Sequence, residues 1–196
     1  MKLLREILYK VEINSVVGNT SLSINKIEFD SRLISDGDMY IAITGVNVDG
    51  HSFISQAIKN GANCIVCEKI PDNKTDGVVY VNVKSSRKAL AIISSNYFDN
   101  PSSKLNLIGV TGTNGKTTIA TLLFDLYTEL EIKSGLISTV KISYDNKNFQ
   151  ANQTTPDSLS INRFLSEMVN SNVRYCFMEV SSHGIDQNRT DGLVFK

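Results

Sequence analysis

The chain contains 196 residues, 41% of them hydrophobic and 20% charged, which suits one large globular domain or two small ones. Twenty Lys and Arg residues balance twenty Asp and Glu residues, and this balance excludes a global electrostatic attraction to nucleic acid or to an anionic membrane. Because the sequence shows neither a signal-peptide core nor an apolar run long enough to cross a bilayer, we expect a cytoplasmic protein.

The first hundred residues alternate between short runs of strand character and short runs of helix character. β-Branched and aromatic residues predict strands at 24–29, 39–43, 62–68 and 78–83, and helical spacing of apolar residues predicts helices at 52–60 and 85–97. A cluster of turn-forming residues at 99–103 marks a domain boundary. We therefore predict a small α/β domain over residues 1–100.

Residues 101–196 continue the alternation in a second unit. Strands are predicted at 105–110, 135–142 and 173–180. One helix follows residue 115, and another runs to Asn170 with Thr155 as its N-cap and Pro156 in its first turn. This order predicts a mostly parallel, doubly wound sheet. The apolar run at 193–195 is typical of the beginning of a further core strand, so we expect this second domain to be incomplete.

Three cysteines offer two interpretations. Cys64 and Cys67 form a C-x-x-C pair, which is one half of a common zinc site. On a strand, however, these two thiols point to opposite faces, and only Cys176 and two histidines remain as further ligands. Buried, reduced thiols are the favoured interpretation.

Residues 109–118 read Gly-Val-Thr-Gly-Thr-Asn-Gly-Lys-Thr-Thr and join a predicted strand to a predicted helix. A glycine-rich turn at a helix N-terminus presents unpaired backbone amides to a phosphate, so residues 112–118 are predicted to bind a nucleoside triphosphate. Lys116 supplies a cation for the β- and γ-phosphates, and Thr117 supplies a hydroxyl for Mg²⁺. The alternative to a phosphate-binding loop is a chance glycine-rich turn. The usual P-loop motif begins with a glycine at the position that Val110 occupies, and this difference argues against a P-loop kinase or GTPase. The predicted nucleotide contacts are Gly112, Thr113, Asn114, Gly115, Lys116, Thr117 and Thr118.

Glu179 lies near the carboxyl end of the last predicted strand. Ligands of doubly wound sheets bind at that edge, so the carboxylate is predicted to face Lys116 and Thr117 and to bind Mg²⁺. A surface glutamate is the alternative. A polar turn, 181–184, follows directly; its Ser and His residues invite a hydrolase interpretation, but the G-x-S-x-G motif is absent from the sequence.

Five separated motifs together resemble the Mur ligase family, and in particular the branch that adds the third residue of the peptidoglycan stem peptide. The motifs are Asp30-Ser31-Arg32 with Gly37-Asp38, Gly45 with Asp49-Gly50-His51-Ser52-Phe53, Thr111 to Thr118, Thr154-Thr155-Pro156-Asp157, and Glu179 to Gly184 with Gln187 and Arg189. Because they span nearly the whole chain in the family's order, the resemblance is specific.

The resemblance implies an ATP- and Mg²⁺-dependent amide ligase of peptidoglycan precursor synthesis. Such an enzyme activates UDP-MurNAc-L-Ala-D-Glu as an acyl phosphate and joins it to a diamino acid, either meso-diaminopimelate or L-lysine. By this resemblance residues 1–100 bind the UDP-substrate, and residues 101–196 form the first part of the central ATP-binding domain. The implied catalytic residues are Lys116, Glu179 and His183, the implied metal ligands are Thr117 and Glu179, and the implied substrate contacts are Ser31, Val46, Asn47, Val48, Thr154, Thr155, Ser181, Gln187 and Arg189.

Family members are more than twice as long and carry a C-terminal acceptor domain, so the resemblance also implies that this chain is an N-terminal portion without ligase activity of its own. Two alternatives stay open at this point. The first is another amide ligase of the superfamily, of the D-Ala-D-Ala-adding or folylpolyglutamate type. The second is a non-catalytic module that binds a UDP-sugar or a nucleotide.

Overall fold

The computed structural model describes residues 1–45 and 48–196, and the chain divides into two compact units, Met1–Tyr97 and Phe98–Lys196. The predicted substrate contacts Val46 and Asn47 lie outside the described residues.

The first unit contains a five-stranded sheet with helices and a small two-stranded sheet beside it. Its elements are β1 (Lys2–Leu3), α1 (Leu4–Ile7), β2 (Ile13–Val17), β3 (Ser23–Ile24), β4 (Ile27–Glu28), β5 (Asp38–Ile41), α2 (Ile54–Lys59), β6 (Ala62–Cys67), β7 (Val79–Val83) and α3 (Ser86–Tyr97). The strand order of the larger sheet is β2-β7-β6-β5-β4. Strands β4 to β7 run parallel, and β2 pairs antiparallel with β7. The parallel strands therefore share one carboxyl edge.

The second unit is built on another five-stranded sheet, with the order β11-β10-β9-β12-β8. Its elements are β8 (Asn106–Val110), α4 (Lys116–Glu129), β9 (Ser134–Ile137), β10 (Lys141–Tyr144), β11 (Lys147–Gln150), α5 (Ser158–Asn170), β12 (Tyr175–Glu179) and α6 (Ser182–Asp186). Strands β8, β12 and β9 are parallel, whereas β10 and β11 form an antiparallel extension.

Alternating side chains of the parallel strands supply two cores, one on each face of this sheet. Leu136 and Phe177 pack with Ala120 of α4 on one face. Ile137 and Met178 pack with Leu165 of α5 on the other face. Helices on both faces of a parallel-rich sheet confirm the predicted α/β class.

The structure corrects the predicted elements at several points. The predicted strand at 135–142 is two strands, β9 and β10, separated by a tight turn at 138–140. Asp145 and Asn146, with φ of +48° and +61°, turn β10 back into β11, which the sequence prediction missed. Strand β2 and helix α1 were also missed.

The N-cap of α5 is Asp157 and not Thr155, so that prediction was wrong. The Asp157 side chain accepts a hydrogen bond from the Ser160 amide at 2.8 Å. Thr155 is unavailable as a cap because its hydroxyl bonds the carbonyl oxygen of Glu179 instead.

Two surface features of the second unit concern apolar side chains. The outer face of α4 leaves four of them more than half exposed: Ile119, Leu122, Leu126 and Leu130. Phe195 forms a parallel bridge with Leu107, and its ring lies so near β8 that a Cβ atom on Gly109 would come within 2.9 Å of it. Across residues 1–45 and 48–196, no helix is long and apolar enough to span a membrane.

Candidate nucleotide and substrate sites

The carboxyl edge of the second sheet brings three connections together. The glycine-rich loop follows β8, the turn at 138–140 follows β9, and α6 follows β12. Since these three strands are parallel neighbours, their connections meet at one edge, which is where ligands of open α/β sheets bind.

The glycine-rich loop is exposed, and two of its glycines have positive φ angles. Gly112 and Gly115 have φ of +143° and +79°, and a Cβ atom at Gly112 would find only the Asn114 carbonyl oxygen nearby, at 3.6 Å. Backbone conformation, rather than crowding, therefore demands glycine at this position. Helix α4 begins at Lys116, whose ammonium donates to the Gly112 carbonyl oxygen at 2.7 Å, so this cation already lies over the loop.

Glu179 ends β12 with its side chain fully buried. Its carboxylate accepts hydrogen bonds from the Thr117 hydroxyl at 3.0 Å, from the Thr139 amide at 2.8 Å and from the Thr139 hydroxyl at 3.0 Å. These bonds compensate the cost of burying the charge. The structure thus brings Thr117 and Glu179 together at the foot of the phosphate loop.

This oxygen pair fits a hard divalent cation. Thr117 uses its hydrogen on Glu179, which leaves its oxygen lone pairs available to a metal. Within the described part of the chain, no group of three or more His, Cys, Asp or Glu side chains is placed to hold a metal ion. The donor set therefore matches Mg²⁺ held by one carboxylate together with nucleotide phosphates and water, rather than a metal in an all-protein cage.

Thr155 and Ser181 are joined beside the same edge. The Thr155 hydroxyl accepts from the Ser181 amide at 2.9 Å and lies 3.1 Å from the Ser181 hydroxyl oxygen. Ser181 in turn caps α6 by accepting from the Gly184 amide at 3.1 Å. The polar turn predicted at 181–184 is therefore the first turn of a short helix.

Arg189 joins its own segment, which includes Gln187, to the loop that precedes α5. Its guanidinium donates to the Gln187 side chain at 2.6 Å, to the Gln153 side chain and to the Thr155 carbonyl oxygen. The predicted substrate contacts Thr155, Gln187 and Arg189 therefore form one cluster. Gln153, to which the sequence prediction assigned no contact, belongs to it as well.

His183 stands apart from this cluster. Its side chain is exposed on α6, and no hydrogen bond among the described residues joins its ring to Glu179 or Thr117. Within the described part of the chain, no hydrogen bond to Glu179 or Thr117 supports a catalytic role for His183, and that role stays a prediction.

The carboxyl edge of the first unit carries two more of the predicted substrate contacts, Ser31 and Val48. Ser31 follows β4 and is buried, whereas Val48 follows β5 and is 55% exposed. Asp30 caps the short 3₁₀ helix of Ser31–Leu33, and the side-chain hydrogen bond from Arg32 holds the pKa of Asp30 below its ordinary value.

Two further side chains tie the connection after β5 to its surroundings, and the sequence prediction gave neither of them this role. His51 bonds Asp49 through Nδ1 at 2.7 Å and accepts from the Glu68 amide through Nε2 at 3.0 Å, an arrangement that selects the neutral Nδ1–H tautomer. Arg87 donates to the Thr44 carbonyl oxygen at 2.9 Å. Arg87 lies in the first turn of a helix that directly follows a parallel strand, and this position in the sequence could have placed it at the carboxyl edge of the sheet.

All three cysteines are free and buried, as predicted. Burial raises the pKa of the Cys67 thiol to about 11 and that of Cys64 and Cys176 further still. Inert thiols of this kind belong to the core.

Comparisons with known proteins agree on one family. The Mur ligase family catalytic domain matches residues 23–98, and the Mur ligase middle domain matches residues 110–196. The chain is 48% identical over 193 residues to a UDP-N-acetylmuramoyl-L-alanyl-D-glutamate--2,6-diaminopimelate ligase of Cytophaga hutchinsonii, and 44% identical over 194 residues to the ligase of the same name in Clostridium tetani. Each match covers 98% of this chain but 40% of the relative, so the chain spans about two fifths of the length of these curated relatives.

Solved structures give the same fold. A UDP-N-acetylmuramoyl-L-alanyl-D-glutamate--2,6-diaminopimelate ligase superposes on the whole chain with a TM-score of 0.79 at 22% identity, over 39% of that protein. A D-alanyl-D-alanyl-adding ligase from Acinetobacter baumannii superposes on 92% of the chain and 36% of that protein, with a lower TM-score of 0.59 at 20% identity.

Proposed function

Since this chain belongs to the Mur ligase family, we propose that it forms the donor-substrate and nucleotide-binding part of a ligase of peptidoglycan precursor synthesis. The ligase adds a diamino acid, the third residue of the stem peptide, to UDP-MurNAc-L-Ala-D-Glu at the expense of ATP. The names of the similar ligases support 2,6-diaminopimelate as the acceptor. The proposed location of this reaction is the cytoplasm.

The observation that carries this proposal is the contact between Thr117 and Glu179 directly below the glycine-rich loop. Backbone amides of residues 112–118 bind the phosphates of ATP, and Lys116 neutralises the β- and γ-oxygens once its ammonium leaves the Gly112 carbonyl oxygen. Thr117 and Glu179 hold Mg²⁺. When bound, ATP supplies the phosphoryl group that activates the substrate carboxylate.

In this proposal each unit has its own set of contacts to the donor substrate. Ser31 and the connection at 46–48 contact the uridine diphosphate. A second group holds the sugar-peptide end: Thr154, Thr155, Ser181, Gln187 and Arg189. Arg189 suits this role because a guanidinium matches carboxylate or phosphate oxygens with two parallel hydrogen bonds. His183, exposed on α6, assists the activated carboxylate or a second Mg²⁺.

The chain spans two fifths of its relatives, and we propose that by itself it binds donor and nucleotide without forming the amide. Calorimetric titration of the chain with UDP-MurNAc-L-Ala-D-Glu, with and without Mg-ATP, tests both halves of the proposal. Saturable binding of both ligands supports it. Binding of ATP alone points to another ligase of the superfamily. ATP-dependent amide formation by the chain after 2,6-diaminopimelate is added contradicts the expected inactivity.

Matched variants make the titration specific. Ser31→Ala and Arg189→Ala are expected to weaken donor binding. Ser15→Ala on the exposed strand β2 and Arg174→Ala at the opposite edge of the second sheet are the corresponding controls. If the controls weaken donor binding as much as the site variants do, the proposed donor site is wrong.

A further inference from the structure

Among the described residues at the carboxyl edge of the second unit, Thr139 makes the most hydrogen bonds to the Glu179 carboxylate. It lies in the turn between β9 and β10. Of the three hydrogen bonds that the described residues make to the carboxylate, Thr139 supplies two, one from its amide and one from its hydroxyl. Thr117 supplies the third. A fully buried carboxylate at the end of a central strand thus depends mainly on one residue, 40 positions away in the sequence.

Ser138 fixes the turn that presents Thr139. Its buried hydroxyl oxygen accepts from the Val140 amide at 3.3 Å and from the Lys141 amide at 3.2 Å, and it donates to the Lys141 carbonyl oxygen at 2.9 Å. A local network of this kind leaves the Thr139 amide with one orientation, toward Glu179. The amide is therefore aimed before any ligand arrives.

The Thr139 hydroxyl also reaches the loop that precedes α5. Its oxygen lies 3.1 Å from the hydroxyl oxygen of Thr154 and 3.0 Å from Oε2 of Glu179. The geometry lets the Thr139 hydroxyl donate to either oxygen, and because a charged acceptor forms the stronger bond, we assign its single hydrogen to Glu179 and regard Thr154 as the alternative acceptor. The side chains of Thr154, Thr139, Glu179 and Thr117 thus form one continuous line of polar contacts.

We propose that Thr139 is a positioning residue that holds the Glu179 carboxylate in place for the divalent cation of the nucleotide. Thr139 does not itself touch the nucleotide in this proposal. The inference rests on the proposed function, because it concerns the same cation site. It adds a link between the nucleotide side of the edge, at Thr117, and the side to which the donor substrate is assigned, at Thr154.

The test is the dependence of ADP affinity on Mg²⁺, measured by titration calorimetry of the chain in Mg²⁺ and in EDTA. The ratio of the two dissociation constants is the Mg²⁺ linkage. Thr139→Val keeps the shape and the amide but removes the hydroxyl, and it is expected to reduce this linkage by about tenfold, the usual cost of losing a hydrogen bond to a charged group. The affinity in EDTA should stay unchanged. Thr139→Ser should restore the linkage, and Thr154→Val should reduce it less than Thr139→Val does.

Thr128→Val is the matched control, because it removes a hydroxyl bonded at 2.8 Å to the Phe124 carbonyl oxygen in the last turn of α4, far along the helix from the phosphate loop. If Thr139→Val lowers the affinities in Mg²⁺ and in EDTA equally, its role is structural and the inference is wrong. Unchanged linkage in Thr139→Val also overturns the inference, while the proposed function stands. A wild-type chain without Mg²⁺-linked ADP binding overturns the proposed function, and the inference falls with it.

Discussion

Gly184 and Thr155 lie in direct contact: a Cβ atom at position 184 would come within 2.8 Å of Cγ2 and 2.9 Å of Cβ of Thr155. The contact brings α6 against the loop that precedes α5. In that loop the Thr155 hydroxyl also accepts a hydrogen bond from the Ser181 amide. The absence of a side chain at Gly184 is therefore what allows these two segments to share hydrogen bonds.

Gly184→Ala is expected to lower the free energy of unfolding by about 1–2 kcal/mol, since overpacking against Thr155 outweighs the better helix propensity of alanine. Urea denaturation measures the change. Thr155→Ser removes Cγ2 but keeps the hydroxyl, so the double variant Gly184→Ala/Thr155→Ser should regain part of the loss. Strict additivity of the two substitutions would contradict a steric cause.

Asp157→Ala is expected to destabilise the chain by about 1 kcal/mol, because it removes the side-chain acceptor that caps α5 at the Ser160 amide. Asp157→Asn retains an acceptor oxygen and should recover most of this loss. The urea midpoints of the two variants provide the comparison. If Asp157→Asn were as destabilising as Asp157→Ala, the charge rather than the cap would be responsible.

Lys116→Met is expected to weaken ADP and ATP binding by roughly tenfold to a hundredfold, the usual effect of losing a charge-assisted hydrogen bond. Lys116→Arg should lose less, because it keeps the charge. Lys133→Met is the control, since Lys133 precedes β9 at the opposite edge of the sheet and its side chain is 57% exposed. Calorimetric affinities of the three variants would contradict the loop assignment if Lys116→Met bound nucleotide like the wild type.

Arg32→Gln is expected to raise the pKa of Asp30 toward its ordinary value, because the side-chain hydrogen bond from Arg32 is the main cause of the lowered pKa. A lowered pKa in the folded state means that the ionised Asp30 adds stability above the unfolded pKa of about 4, and that this contribution is lost as the pH falls through the folded pKa. An NMR titration of the Asp30 carboxyl carbon measures the shift in both proteins. Identical titration curves would show that the ion pair does not persist in solution.

The buried thiols predict a loss of stability at alkaline pH. Burial raises the folded-state pKa of Cys67 to about 11, with the nearby Glu68 charge adding to it, so the folded protein keeps a proton that the unfolded chain releases above about pH 8.5. The stability that the protonated Cys67 thiol contributes is complete below that pH and declines as the pH rises toward the folded-state pKa. Cys67→Ala should therefore show a shallower decline of the unfolding free energy above about pH 8.5. Equal slopes in urea denaturation series would contradict the raised pKa.

Much of the candidate site follows from local patterns. A strand, a glycine-rich turn and a helix in register place Lys116 and Thr117, and an apolar run ending in a carboxylate places Glu179. The parallel alternation of strands and helices then predicts that both lie at one edge, and the 3.0 Å contact between Thr117 and Glu179 agrees with that prediction. Local sequence also contained the signal for the missed β10–β11 hairpin, since Asp145-Asn146 is a typical two-residue turn.

Other parts of the site depend on strand order, which one sequence does not specify. Thr139 meets Glu179 because β9 and β12 are neighbours, although α5 and the β10–β11 hairpin separate them along the chain. Gln153 joins Arg189 across 36 residues for a similar reason. Asp157 caps α5 in place of the predicted Thr155, because the Thr155 hydroxyl already donates to a distant carbonyl oxygen, that of Glu179.

The sequence by itself determined the class of fold, the glycine-rich loop between a strand and a helix and the chemistry of the side chains there, because hydrophobic period, glycine placement and residue type act over a few neighbouring positions. The tertiary structure alone decided which hydroxyls and amides surround the buried Glu179 carboxylate and which loops Arg189 joins. Such contacts form only when strands distant in sequence become neighbours in one sheet. The polar groups that the sheet buries then need hydrogen-bond partners, which these neighbouring segments supply.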